Sequence, residues 1–115
     1  MTTTKIYYYI NSSGKNEVRE FILSLDKNQQ VKVRRKLQII EEYGLSSAIP
    51  HIKKLSNTPF WEIRILGKDN IRVIYVVQNV DSVLVLHGFV KKTQKTPDKE
   101  LRIVFRRFQD WKSNR

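Results

Sequence analysis

The apolar positions change period along the chain, and each change marks an element. Lys5 to Ile10, KIYYYI, is a β-branched and aromatic run that predicts a strand. Asn11, Ser12, Ser13 and Gly14 follow as a turn cluster. Val18, Phe21, Ile22 and Leu25 then recur at i, i+3, i+4 and i+7, the spacing of one helix face. Asp26, with Gln29 three residues on, has the pattern of a capping box, and Val33, Leu37 and Ile40 form the stripe of a second helix that Gly44 ends. So short a link predicts an antiparallel helical hairpin.

Beyond Gly44 the period shortens to two. His51 to Leu55 and Phe60 to Leu66 read as extended, around the turn-like Ser56-Asn57-Thr58-Pro59. Ile71 to Gln78 and Ser82 to Val90 follow as strands. They are set off by Gly67 to Asn70 and by Asn79-Val80-Asp81. These short connections predict antiparallel hairpins. Thr96-Pro97 marks a helix start, Thr as cap and Pro at the first helical position, with Leu101, Val104, Phe105, Phe108 and Trp111 as the apolar face. The order β-α-α-β-β-β-α predicts an α+β fold, a helical hairpin and a C-terminal helix packed on a small, mainly antiparallel sheet. Without an internal repeat or linker, residues 1–115 read as one domain.

Alternation assigns faces. Trp61, Ile63 and Ile65 share one face and suit packing beneath helices, whereas Phe60, Glu62 and Arg64 share the other. Arg72 lines up with Ile74 and Val76 in the middle strand, part of whose outer face the last helix is expected to cover. In the last strand Leu84, Leu86 and Val90 are expected to face the core, and His87, Phe89 and Lys91 the other side. With the strands in register, Glu62, Arg64, Arg72, His87 and Lys91 converge on one basic surface.

Charge sharpens this picture. Twenty-two Lys and Arg face eleven Asp and Glu, a formal net charge of +11. Such an excess favours a polyanionic partner, since neutralising phosphates releases condensed counterions; an acidic protein or an anionic membrane would also be attracted. There is no cysteine, which fits a reducing cytoplasm, and the first residues carry Thr where a signal peptide needs an apolar run. No stretch approaches the ~18 apolar residues of a membrane span. Two histidines and scattered carboxylates form no metal-binding pattern, the four glycines build no phosphate loop, and no serine sits in a nucleophile elbow. No metal and no cofactor are expected.

Metal-free RNA cleavage needs a base for the 2′-hydroxyl, cations for the charge on the phosphorane-like transition state, and an acid for the leaving 5′-oxygen. Glu62 or His87 can be the base, His87 or a lysine the acid, and Arg64 and Arg72 can hold the phosphate. Phe89 can stack on a splayed base. Lys53, Lys54, Lys91, Lys92 and Lys95 are candidate RNA contacts, and Lys32, Arg34, Arg35 and Lys36 serve solubility or secondary RNA contact. Each has a plainer reading: Glu62 with Arg64 as a surface ion pair, His87 as a hydrogen-bonded sheet residue, Phe89 as packing. Arg72 is the hardest to explain so, because burying its charge needs a partner or an anion.

The segments FWEIR (60–64), IRVIY (71–75) and LHGFVKKTQKTP (86–97), with the element order, resemble the RelE/ParE toxin superfamily, and within it the phage-derived HigB-like toxins of toxin–antitoxin pairs. The resemblance implies a RelE-like fold, cleavage of mRNA, commonly in the ribosomal A site, and a cognate antitoxin, expected to be a helix-turn-helix protein. It implies a catalytic basic residue at Arg64, Arg72 is similar to the arginine of the family's YR-type strand, and His87, Phe89 and Lys91 match by region the family's last-strand catalytic groups. No tyrosine follows Tyr75. ParE-like relatives with this fold inhibit DNA gyrase instead of cleaving RNA, so fold alone does not choose the activity.

Overall fold

The computed structural model describes residues 3–44, 50–67, 70–92 and 96–114. Strand β1 (Lys5–Tyr8) leads into helices α1 (Glu17–Ser24) and α2 (Lys27–Tyr43). Strands β2 (Ile52–Lys54), β3 (Phe60–Ile65), β4 (Ile71–Asn79) and β5 (Ser82–Val90) follow, and helix α3 (Asp98–Ser113) comes last. The sheet order is β1-β5-β4-β3-β2, with β1 parallel to β5 and every other pair antiparallel. This is the expected α+β order, with the extended stretch before Ser56 realised as the short edge strand β2.

Local chemistry sets the helix limits. The Asn16 side chain accepts from the Arg19 backbone N–H at 2.9 Å and caps α1. The expected capping box opens α2: the Asp26 carboxylate accepts from the Gln29 N–H at 2.8 Å, and the Gln29 side chain accepts from the Asp26 N–H at 3.2 Å. A cap of this kind contributes roughly 0.5–2 kcal/mol. Gly44 ends α2 at φ 77°, in the left-handed region that glycine enters without steric cost.

The sheet is buried on both faces. Val18 of α1 and Val33, Leu37 and Ile40 of α2 pack with Ile63, Ile65, Ile71, Val73, Tyr75, Val83 and Val85. On the other face Val104, Phe108 and Trp111 of α3 pack with Phe60, Ile74, Val76, Leu84, Leu86 and Phe89. Fully burying one such aliphatic side chain is worth roughly 1.5–3 kcal/mol, so each helix layer is held mainly by apolar area. β4 therefore reads as a nearly continuous apolar run, which is what two-sided burial demands. Arg72 is the charged exception within it.

The last strand departs from strict alternation. Ile74 pairs with His87 while Tyr75 pairs with Val85, so Leu86 is an extra residue, a β-bulge in β5. The bulge shifts the parity of every side chain after it. Leu84 and Leu86, expected opposite His87, Phe89 and Lys91, lie on the same α3 face as those three residues. Val90, expected in the core with Leu84, instead pairs with Ile71 toward the α1–α2 side and is 37% exposed. Gly88 also faces that side: a Cβ there would lie 2.5 Å from the Phe21 ring, so only glycine lets α1 sit this close.

Candidate functional site

Cross-strand pairing builds the site. Lys53 of β2 pairs with Glu62 of β3, and Arg64 of β3 pairs with Arg72 of β4, which in turn pairs with Phe89 of β5. Directly opposed residues share a face, so Lys53, Glu62, Arg64, Arg72 and Phe89 stand together on the α3 side. Glu62 lies at the centre and is fully buried. Its Oε1 is 3.5 Å from Arg72 Nε and 3.6 Å from Arg64 Nε, ion-pair distances too long for good hydrogen bonds. Its Oε2 accepts from the Thr96 hydroxyl at 2.8 Å.

Among the described residues, one carboxylate does not balance this group. Glu62, Arg72, Arg64 and Lys53 all act electrostatically on Lys91, so four cations surround one anion. Lys91 is 7% exposed, and burial pushes its ammonium below the usual lysine range; Glu62 opposes the shift, and Arg72, Arg64 and Lys53 add to it. Arg72 is lowered in the same way, by burial first, with Glu62 opposing and Arg64 adding. The Arg72 Nη1 donates to its neighbour's carbonyl, Ile71 O, at 3.2 Å. Arg64 is the open side of the cluster, its side chain 37% exposed. Uncompensated, partly desolvated cations of this kind favour an anion, above all a phosphate that accepts several charge-assisted hydrogen bonds.

His87 belongs to a different network. Its Nε2 is 3.0 Å from Glu100 Oε1, and its Nδ1 is 3.2 Å from Arg107 Nη1. Arginine only donates, so Nδ1 accepts and the proton resides on Nε2, which donates to Glu100. Arg107 is buried. It also donates to Leu86 O at 2.8 Å and to Glu17 Oε2 at 2.7 Å, and it lies over the Tyr9 ring at 5.8 Å. The Tyr9 hydroxyl donates to Asp110 at 2.5 Å, and burial together with that bond pushes its pKa up to about 12. Burial lowers the His87 pKa, with the Glu100 hydrogen bond opposing. These contacts tie α3 to α1, β1 and β5.

The remaining candidates divide. Phe89 is 5% exposed and stacks on His87 at 5.4 Å between centroids, so its ring packs between the two ionic groups and presents no platform to a base. Lys54 is not part of the group: it pairs with Trp61 on the opposite face, its Nζ 5.8 Å from that ring. Lys92 is exposed beyond the end of β5, and Lys95 lies outside the described residues. No three His, Asp or Glu side chains gather as a metal-ligand set among the described residues.

Two contributors escaped the sequence reading. Thr96 was expected to cap α3, but Pro97 holds the cap position with no side-chain hydrogen bond and the Thr96 hydroxyl goes to Glu62. Arg107 falls three residues after Val104, on the stripe that Phe108 and Trp111 continue. A charge on an apolar stripe was the available signal.

Residues 20–109 match the family described as "Phage derived protein Gp49-like (DUF891)". The fold is similar to that of a doubly substituted form of the Escherichia coli toxin RelE in the free state, with a TM-score of 0.62 and 14% identity over 88% of this chain and 97% of that one. No curated protein matches significantly. The architecture is thus RelE-like, a helical hairpin and a C-terminal helix on opposite faces of a five-stranded sheet. The chain belongs to the phage-derived Gp49-like family.

Proposed function

We propose that this protein is the toxin of a toxin–antitoxin pair and an endoribonuclease that cleaves mRNA, on the ribosome and without a metal ion. The observation that carries the reading is the cluster of four cations about the single buried carboxylate of Glu62, open to solvent at Arg64. The Gp49-like family membership and the RelE-like fold support the toxin assignment.

In this mechanism the scissile phosphate enters at Arg64, and Arg64 and Arg72 hold its non-bridging oxygens. The 2′-oxygen attacks phosphorus, the bond from phosphorus to the 5′-oxygen breaks, and a 2′,3′-cyclic phosphate and a 5′-hydroxyl result. Negative charge grows on the clamped oxygens in the transition state, where preorganised cations act most strongly. Lys91, its proton loosened by burial, donates to the leaving 5′-oxygen. The proton of the 2′-hydroxyl departs to water, because Glu62 is fully buried, its Oε2 accepting from Thr96 and its Oε1 turned to the two arginines. Glu62 is a positioning residue for the two arginines, and His87 holds α3; the base and acid roles first considered for these two pass to water and Lys91.

The whole chain acts here as one toxin domain in the cytoplasm, neutralised by a cognate antitoxin, which we take to be a helix-turn-helix protein. Lys53 and Lys92 add phosphate contacts beside the cleavage point. The test is to expose translating ribosomes to purified protein and map new mRNA 5′ ends. New ends that Arg72→Ala abolishes support the reading. No new ends, with poisoned DNA gyrase, would replace it by the gyrase-inhibitor reading.

A further inference from the structure

A second cleft lies around the end of the sheet from the Glu62 cluster. Three cations of α2, Lys32, Arg35 and Lys36, line its rim together with His51. Ile39, Leu66 and the buried Ile65 are its apolar lining, and the lining includes no carboxylate. Its volume is about 340 Å³. Leu66 is 51% exposed, a large apolar side chain left open where β3 ends. The Lys32 ammonium donates to Leu66 O at 3.1 Å and bridges α2 to that strand end. Arg35 and Lys36 have no ion-pair partner among the described residues.

One backbone hydrogen bond links the cleft's lining to the proposed cleavage site. His51 accepts the Arg64 backbone N–H at 2.8 Å, so one residue of the rim is joined directly to the arginine at the open side of the Glu62 cluster. His51 itself has φ 67°, a left-handed backbone that non-glycine residues adopt rarely. Charge and size together choose the occupant. A polyanion strand crossing Arg64 meets positive side chains on both sides of the sheet end. An amphipathic peptide helix needs a groove long enough for a row of anchors, whereas this space is near the lower end for a small-molecule site and fits about one flat ring system.

We propose that this cleft binds a flanking nucleotide of the same single-stranded RNA, its base resting on Ile39 and Leu66 and its phosphates held by Arg35 and Lys36. The inference rests on the RNA-cleaving reading for its substrate, but its test does not need cleavage. A stacked base on an apolar floor is sequence-tolerant, and the cations read only backbone. The cleft therefore lengthens the RNA footprint beyond the cleaved bond.

The probe is a set of labelled 2′-O-methyl oligouridylates, from a dinucleotide to an octanucleotide, which bind but present no 2′-hydroxyl for attack. Anisotropy is read against salt. The Arg35→Ala/Lys36→Ala pair should weaken octanucleotide binding on the order of tenfold and reduce the slope against log salt by about 1.4, two phosphate contacts at about 0.7 each for single strands. Dinucleotide binding should not change. Leu66→Ser should weaken the octanucleotide while leaving the salt slope intact. Octanucleotide binding and salt slope equal to wild type in the double variant would overturn the cleft. So would a glutamate-rich peptide that binds here in place of the oligonucleotide and is lost in the same variant. Mapping of mRNA ends with the wild-type protein runs in parallel. Cleavage with unaltered variant binding sinks the cleft alone; length-dependent binding lost in the variants, without cleavage, sinks the nuclease reading alone.

Discussion

Two ionic groups share the α3 face of the sheet, with the Phe89 ring between them. Around Arg107 no cation is left without a carboxylate: Glu17 and Glu100 lie beside one arginine and a neutral His87, and α3 closes over them. Around Glu62 cations are in excess, since Arg64, Arg72, Lys91 and Lys53 share one carboxylate and Arg64 reaches solvent. Both groups are costly to desolvate. The first group offsets that cost with its own hydrogen bonds and fastens a helix; the second keeps an excess of cations that an anion relieves. Within one sheet face, net charge and access separate a structural network from a binding site better than the mere presence of His, Glu or Arg does.

Substitutions on either side of Phe89 should therefore separate activity from stability. The largest effect is expected from Arg72→Ala, which removes a proposed phosphate clamp: ribosome-dependent cleavage should fall on the order of 10²–10³-fold. The thermal midpoint should fall less than with Arg107→Ala, because Glu62 keeps Arg64, Lys91 and the Thr96 hydroxyl. Arg107→Ala should do the reverse. It leaves Glu17 short of its partner and costs about 3 kcal/mol of stability, below the upper range for fully buried pairs because Glu17 is itself partly exposed. Denaturant unfolding reads this, and cleavage per folded molecule should stay within a fewfold of wild type.

Glu62→Gln comes next. It keeps the shape but releases the two arginines from their common anchor, so the single-turnover cleavage rate should fall roughly tenfold while RNA affinity holds or rises, as expected for a residue acting through its neighbours. An equal loss of affinity and rate would instead make Glu62 a direct substrate contact. The smallest effect is in pH. Burial favours neutral His87 in the folded state, so the unfolded chain takes up the proton first as pH falls below the ordinary imidazole value of ~6.5. Stability should be fully present above that value and decline as pH drops through the lower folded pKa. Thermal midpoints across this window should show the decline in wild type and a flatter profile in His87→Gln.

Much of this arrangement was readable from side-chain parity. In β3 the period of two is kept, so Trp61, Ile63 and Ile65 lie toward α1 and α2, and Glu62 and Arg64 toward α3, as the alternation predicts. In β5 the same logic fails because Leu86 is an inserted residue, and a bulge carries no composition signature of its own. Lys54 shows a rule left unapplied: adjacent strand residues point to opposite faces, so Lys53 and Lys54 were never both able to join the site. Thr96 was read by local rules as a helix cap, and only the tertiary fold supplies the competing acceptor, Glu62, thirty-four residues away. The resemblance to RelE-type toxins pointed to β3, β4 and β5, but not to the division into a group with spare cations and one without, which depends on what α3 covers.

The most direct test of that division is the mapping of mRNA 5′ ends in translating ribosomes treated with wild-type protein, Arg72→Ala and Arg107→Ala, each normalised to its folded fraction. New 5′-hydroxyl ends with wild type and Arg107→Ala, and none with Arg72→Ala, are what an uncompensated phosphate clamp requires. Full cleavage by folded Arg72→Ala, or no cleavage by any of the three, would contradict it.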